Sequence, residues 1–483
     1  MKQHYSRHSV FWLTIKSLLL FFFSYPESYA QDELQTIAPF IYIDSITMEG
    51  NRKTRPSLVL RELEFAPGDS LATANLGATL ERNSLRLMNL GIFNAASINV
   101  TRWAEGNHVV LHITLTESWY IYPSPIFELA DRNFNVWWKE FNRSLRRVNY
   151  GLDWTQLNLT GNADILKAKA QFGYSNKYEL QYRRPVVNRR KTVGFEAGIT
   201  YTRSHEVAYA TEGNKLLFHV NPDIWQIVQL STGGSVLWRP GLFTSHRFTA
   251  EYRDITAADS IARFFNPNFF LNGAARQRFA SVIYNVRFDY RDIHPYPLDG
   301  WLFVGELRYN GLLPNDDFRM FRASFEYAQY FPFWEKRLSL ETVVRARTSL
   351  PRCRPPYFHN QALGYGGNFV RGYEYYVSDG LDFGVLKTAF RVQLLNKSFN
   401  LGKFVPLDAF RNLPLKMYLS FNNDVGYAND PWYAATNPLS NRVLWGYGMG
   451  IDIIAYYNKS VRFEWSWNDL GENGFFLRIN TGF

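Results

Sequence analysis

For about 360 residues after Tyr120 the chain repeats a single pattern, apolar and polar residues alternating with period two. Successive side chains of a strand point to opposite faces, so each such segment presents one apolar and one polar face. Ala280, Val282, Tyr284, Val286, Phe288 and Tyr290 share one side of their segment, and Ser281, Asn285, Arg287 and Asp289 share the other. Val193, Phe195, Ala197, Ile199 and Tyr201 repeat the arrangement with Glu196 opposite. Segments of about ten residues match a tilted strand that crosses a hydrocarbon layer. Turn clusters separate them, as at residues 188–191 (Asn, Arg, Arg, Lys) and at 292–300 with Pro295 and Pro297.

Composition decides between a soluble β-sandwich and a membrane barrel. Aromatic residues make up 17% of the chain, yet the mean hydropathy is −0.27. After the first 30 residues no run of 18 apolar residues occurs, which excludes helical spans. A barrel with apolar outward and polar inward residues averages to such values. At about 22 residues per strand and loop, the segment from 119 to 483 predicts a mainly β fold, a transmembrane antiparallel barrel of about 16 strands.

The chain opens differently. Lys2 and Arg7, an apolar run over 10–23 interrupted by Lys16, and the small residues Ser28 and Ala30 read as a signal peptide over 1–30. A spanning anchor would need about 20 apolar residues. No cysteine follows the expected cleavage point, and with Cys353 alone in the sequence no intramolecular disulfide can form. Residues 31–39 read as a linker.

Residues 40–118 predict a small α+β domain. A strand over 41–48 ends in a turn at Gly50 and Asn51, and Thr54 with Pro56 reads as the cap and first turn of a helix to about Leu63. A second helix over 73–90 carries Leu76, Leu80, Leu87 and Leu90 on one side and stops at Gly91. Strands over 95–101 and 109–116 follow, joined by a turn at Glu105, Gly106 and Asn107. Strand, helix, helix, strand, strand is the expected order. With Gly50-Asn51 early and Leu87, Leu90, Gly91 and Phe93 before the last hairpin, it resembles a POTRA domain. Such a module implies an open sheet edge on which an extended client can pair; the alternative is a spacer.

Within the barrel region, residues 364–373 read Gly-Tyr-Gly-Gly-Asn-Phe-Val-Arg-Gly-Tyr. Gly364, Gly366 and Gly367 supply backbone freedom that a ladder penalises, so this is a tight loop. Val370, Arg371, Gly372 and Tyr373 follow directly. A POTRA-like module ahead of a barrel with this motif resembles the BamA/TamA family of outer-membrane assembly factors and the two-partner secretion translocators. Asp292 with Pro297 and Gly300 looks like a family hairpin, and residues 421–426 (Phe-Asn-Asn-Asp-Val-Gly) like the strand facing the loop.

The resemblance implies that the loop folds into the lumen and that Arg371 meets an inward carboxylate. Met417, Leu419, Phe421, Val425 and Tyr427 form an apolar face, which leaves Asp424 inward with Ser420 and Gly426. Asp424 is therefore the expected partner, with Glu464 the competitor or no pair at all. Gly446, Gly448 and Gly450 alternate with Trp445, Tyr447 and Met449; the bare side leaves room for a loop or marks a barrel corner. The resemblance further implies a lateral seam between a first strand near 120–127, with Tyr120, Tyr122, Pro123 and Pro125, and a last strand near 475–483, with Phe475, Leu477, Ile479 and Phe483. Proline cannot donate to a ladder, which weakens that seam.

Catalytic chemistry finds no support. The sequence has no phosphate-binding loop, no His-Glu-x-x-His pair and no Gly-x-Ser-x-Gly elbow. His108 and His112 read as solvated, Cys353 lacks a recognisable base, and no cofactor or metal is expected. The formal net charge of +10 falls to about +8 without the signal peptide. No basic run interleaved with aromatics accompanies it, so nucleic acid is set aside. The expected function is assistance in inserting or translocating proteins at the outer membrane of a Gram-negative bacterium, with the POTRA-like domain in the periplasm. Expected partners are outer-membrane lipid, unfolded or secreted client proteins, and periplasmic or lipoprotein subunits. A dedicated secretion pore and a passive channel are the alternatives. One POTRA-like module, fewer than in the main assembly factors, points to a specialised member.

Overall fold

A computed structural model describes residues 39–129, 134–139, 141–188, 190–402, 411–455 and 459–480. The expected signal peptide, the linker as far as residue 38, Arg189 and the terminal Phe483 lie outside the described residues.

The amino-terminal unit is a four-stranded sheet in the order β2-β1-β4-β3, built from β1 (Phe40–Glu49), β2 (Ser70–Ala72), β3 (Phe93–Trp103) and β4 (His108–Glu117). β1 and β4 run parallel, a pairing that requires a crossover. Helices α1 (Pro56–Arg61) and α2 (Leu76–Met88) lie in that crossover. Ile41, Ile43, Val109, Leu111 and Ile113 point from the sheet toward Leu58, Val59, Leu80 and Leu87, and all are buried. Each fully buried side chain of this kind contributes on the order of 1.5–3 kcal/mol. Gly91 and Gly106 hold left-handed backbone at the end of α2 and in the β3–β4 turn.

Two local readings are corrected. Thr54 does not cap α1: Arg55 occupies the cap position without a side-chain bond. The Thr54 hydroxyl is taken instead by Tyr120 Oη at 3.2 Å and by Asn158 Nδ2, which donates to it at 2.9 Å. The second helix begins three residues later than expected, because residues 73–75 form a 3-10 turn after the short strand β2.

The next strands are β5 (Ile121–Leu129), β6 (Val148–Leu157), β7 (Ile165–Gly173), β8 (Ser175–Arg184), β9 (Val193–Ser204), β10 (Glu206–Glu212) and β11 (Lys215–Val220). β12 (Ile227–Trp238), β13 (Thr244–Ala257), β14 (Arg276–Asp289), β15 (Gly300–Asn310), β16 (Met320–Phe333) and β17 (Leu338–Leu350) follow. β18 (Gln361–Leu363), β19 (Ser378–Asp379), β20 (Asp382–Asn400), β21 (Asn412–Asn429), β22 (Val443–Ala455), β23 (Lys459–Asn468) and β24 (Asn473–Asn480) complete the chain. Sixteen of these form one antiparallel sheet running from β5 to β24, from which the hairpin β10–β11 and the pair β18–β19 stand apart. A third helix, α3 (Phe134–Lys139), lies between β5 and β6.

Side-chain alternation separates the two faces of this sheet. Phe248, Phe325, Phe421, Trp445, Trp465 and Phe475 are exposed on the outward face, whereas Ser281, Ser420, Asp424 and Glu464 are buried on the inward one. At the end distal to β1–β4, loops interlock over the lumen. Asn214, at the tip of β10–β11, donates from Nδ2 to Val377 O at 2.9 Å, and its Oδ1 accepts from Leu439 N at 2.8 Å. Among the described residues no ladder joins β24 to β5, the two termini of the strand order.

The amino-terminal unit grips the proximal turns. Arg55 N donates to Gly161 O at 3.0 Å and Lys191 Nζ to Ser57 O at 2.7 Å. Asn89 Nδ2 donates to Asp292 O at 3.1 Å, and the Arg86 guanidinium lies 4.4 Å from the Phe243 ring centre. The strongest tie is buried: Arg239 donates through both terminal nitrogens to the Glu62 carboxylate at 2.7 and 2.8 Å. Burial alone would raise the Glu62 pKa, but the positive charges of Arg239, Arg61 and Arg86 outweigh it and hold the carboxyl below its ordinary 4.5. A depressed carboxyl contributes stability above its unfolded pKa and loses it as pH falls through the folded value.

Removing one partner of a buried pair costs about 3 kcal/mol at the lower end, so Glu62→Gln is expected to loosen the docking at neutral pH. Spin labels at positions 81 and 190 in a Cys353→Ser background test this. A single narrow distance is expected for the parent at pH 7, broadening only well below pH 4.5, and a broad distribution at pH 7 for Glu62→Gln. Identical distributions for both at all pH values would remove the ion pair from the docking.

Candidate functional site in the barrel lumen

The loop from 351 to 381 descends from the distal end into the barrel, and its tip brings Arg371 against the inward faces of β21 and β23. Arg371 is 5% exposed, and Asp424 and Glu464 are fully buried. Arg371 Nη1 donates to Asp424 Oδ1 at 2.5 Å, its backbone N donates to Asp424 Oδ2 at 3.1 Å, and Nε donates to Glu464 Oε2 at 3.2 Å. One guanidinium thus bridges carboxylates on two strands, where the sequence posed Asp424 and Glu464 as rivals.

Further side chains share the desolvation. Lys387 on β20 reaches Asp424 Oδ2 at 3.2 Å. Arg478 on β24 donates to Glu374 Oε1 at 2.6 Å and to Glu464 Oε1 at 3.4 Å. Arg462 lies 3.8 Å from Glu464 and donates to both oxygens of Asp452 at 2.5 and 2.8 Å. Arg371, Lys387, Arg462 and Arg478 therefore face Asp424, Glu464, Glu374 and Asp452. A buried charge is costly unless paired and hydrogen-bonded, and this cluster meets both conditions. Asn422 Nδ2 and Ser466 Oγ donate to the remaining lone pairs of Glu464 at 3.3 and 2.8 Å. The Phe369 ring lies between the cations of Lys387 and Arg478, at 3.7 and 4.2 Å.

Backbone fit explains the glycines. Gly372 has φ +82°, and a Cβ there would lie 2.4 Å from Trp467 O. A Cβ on Gly446 would lie 1.7 Å from Arg371 O, and one on Gly426 would lie 2.4 Å from Val370 Cγ2. Those two wall positions are empty because the loop occupies them. Gly448 and Gly450 face the β23 backbone instead, with Trp465 O and Phe463 O at 2.7 Å. Room for the loop is thus made at Gly426 and Gly446, while Gly448 and Gly450 lie close against β23. Val370 and Tyr373 are buried with Leu363, Phe383, Val385 and Leu444, an apolar clasp above the ions.

The other expected site residues are distributed differently. Gly366 has left-handed backbone and open space, and Gly367 O accepts from Arg345 Nη1 at 2.9 Å. Tyr120 precedes β5 and, with Tyr122, packs against the core of the amino-terminal unit, so both rings belong to the domain junction. Pro123 and Pro125 lie in β5, in register with Trp154 and Leu152. Phe475 and Leu477 are outward on β24, and Ile479 is in register with Val461. Lys387 and Arg478 were not singled out from the sequence, although period-two parity places each on the inward face of its strand. Tyr296 was also missed: from the turn 290–299 it donates to Asp452 Oδ2 at 2.6 Å and so carries the proximal hairpin into the same network.

A Cβ at position 446 has no room, so Gly446→Ala is expected to destabilise by about 1–3 kcal/mol. Gly384→Ala, an outward glycine with nothing within 4 Å, should stay within about 0.5 kcal/mol. Arg371→Ala leaves Lys387 by Asp424 and Arg478 and Arg462 by Glu464, and should cost about 3 kcal/mol. The midpoint of heat-induced loss of the folded band in unheated electrophoresis measures all three. Equal midpoints for the two glycine variants would contradict the fit.

Residues 41–118 match the model of the POTRA domain, described as surface antigen variable number repeat, and residues 158–379 match the Omp85 superfamily domain. Among solved structures, BamA from Haemophilus ducreyi lacking POTRA domains 1–3 is similar at 13% identity and TM-score 0.50, covering 91% of this chain and 83% of that one. CdiB from Escherichia coli is similar at 12% identity and TM-score 0.48, covering 99% of each chain. No curated protein matches the chain in sequence.

Proposed function

We propose that this chain, which belongs to the Omp85 superfamily, assists the insertion or translocation of client proteins at the outer membrane by lending them the free strand edges of its barrel. The observation that carries this reading is the absence, among the described residues, of a ladder between β5 and β24. An unpaired edge exposes main-chain donors and acceptors on which an extended strand adds itself. In hydrocarbon such groups cannot be left unsatisfied, so the edges favour an incoming client strand. Pro123 and Pro125 on β5 each lack an N–H, which weakens any direct closure on β24.

The Arg371 cluster serves this reading by fixing the wall that carries the seam. Arg478 stands on β24 itself and is tied to Glu464 on β23 and to Glu374 of the loop. The loop thus holds the last strand from inside while its outer edge stays available. The POTRA domain, gripping the proximal turns, lies where a client would arrive from the periplasm. The chemistry asked of the chain is hydrogen-bond exchange between strands, with no covalent step. The secretion-pore alternative requires the loop to leave the lumen, at the cost of dissolving the ion cluster.

A disulfide across the seam tests the mechanism. With Cys353→Ser as background, Phe127→Cys, on the outward face of β5, is combined in turn with a cysteine at 473, 475 or 477, on the outward face of β24. Full cross-linking is expected to abolish client assembly, and reduction to restore it; complete cross-linking with intact assembly sinks the seam. Quantitative proteomics after depletion then separates the classes, since a joint fall of many barrel proteins supports assembly and loss of a single secreted protein supports a dedicated pore.

A further inference from the structure

An apolar pocket lies between α3 and β24. Helix α3, in the distal connection between β5 and β6, packs against β24. Between them is a pocket of about 380 Å³ lined by Trp138, Lys139, Trp465, Asn473, Phe475 and Leu477, within the ligand-sized range of about 300–1,000 Å³. Trp465, Phe475 and Leu477 are outward residues of β23 and β24, 44%, 47% and 41% exposed, so the pocket belongs to the surface that meets the membrane. Among the described residues its lining contains no carboxylate and one charged group, Lys139, whose Nζ lies 5.2 Å from the Tyr375 ring centre at the distal rim.

These features select the occupant. A client strand is recognised through in-plane N–H and C=O groups, whereas this pocket stands on the face of the sheet and offers side chains. An apolar chain fits such walls, and an anionic head group fits the single ammonium at the level where interfacial tryptophans and lysines anchor. We propose that the pocket between α3 and β24 binds one acyl chain of an anionic phospholipid, with the head group paired to Lys139. Bound there, the lipid fastens α3 over the distal half of β24, so that a client strand reaching that edge must first displace it. This consequence rests on the lateral-seam reading; the binding site does not, and the measurement below reads binding alone.

The full chain is purified in a nonionic detergent and examined by native mass spectrometry while dioleoylphosphatidylglycerol or dioleoylphosphatidylcholine is titrated. The parent is expected to retain one phosphatidylglycerol more than Leu477→Trp, which fills the pocket, whereas Leu307→Trp, outward on β15, retains as many as the parent. Lys139→Gln is expected to lower the preference for phosphatidylglycerol over phosphatidylcholine by about fivefold, the scale of one basic residue at an anionic surface. Folding is checked by unheated electrophoresis, and Trp138→Glu on α3 replaces Leu477→Trp should the barrel variant misfold. Equal retention by the parent and both pocket variants, equal retention of the two lipids by the parent, or displacement of lipid from Leu477→Trp and parent alike would overturn the site.

Discussion

The architecture depends on one constraint, that no backbone donor or acceptor in contact with hydrocarbon can go unpaired. Sixteen strands satisfy it by antiparallel pairing, each with the next in the sheet. The constraint leaves a problem at β5 and β24, the two ends of the order. There the chain places two prolines on one side and the short helix α3 on the other. The function proposed above would act at these two ends of the strand order.

The lumen obeys a complementary rule. Charges in a water-poor interior are tolerated when paired and multiply hydrogen-bonded, and Arg371 sits where two carboxylates on different strands can share it. The network extends to Arg462, Asp452 and Tyr296. A loop from the distal end and a hairpin from the proximal end therefore meet in one electrostatic cluster on the wall formed by β20 to β24. The proximal turns β6–β7, β8–β9, β12–β13 and β14–β15 carry the POTRA contacts.

Much of this was written in single residues. Alternation of Ala280 through Tyr290 fixes which side chains meet lipid, because a strand turns each residue 180° from the last. The same parity puts Asp424, Lys387 and Arg478 inward. Gly91 and Gly106 mark backbone that only a left-handed conformation continues. Thr54 reads as a helix cap by every local rule, and the structure assigns it elsewhere because Tyr120 and Asn158 offer a better-placed bond across the domain junction. Tyr120 and Tyr122 also pack against the POTRA core, a contact that local spacing does not announce.

By itself the sequence determined the class of fold, the approximate number of strands, the face of each residue and the presence of a glycine-rich loop, since all of these follow from spacing along one chain. Only the tertiary structure decided that one guanidinium bridges Asp424 and Glu464, that Gly446 rather than Gly450 makes room for the loop, that Glu62 is paired with Arg239, and that α3 lies on β24. Each of these joins residues far apart in sequence, and local spacing carries no record of which strands, turns and loops the folded sheet will bring within a hydrogen bond of one another.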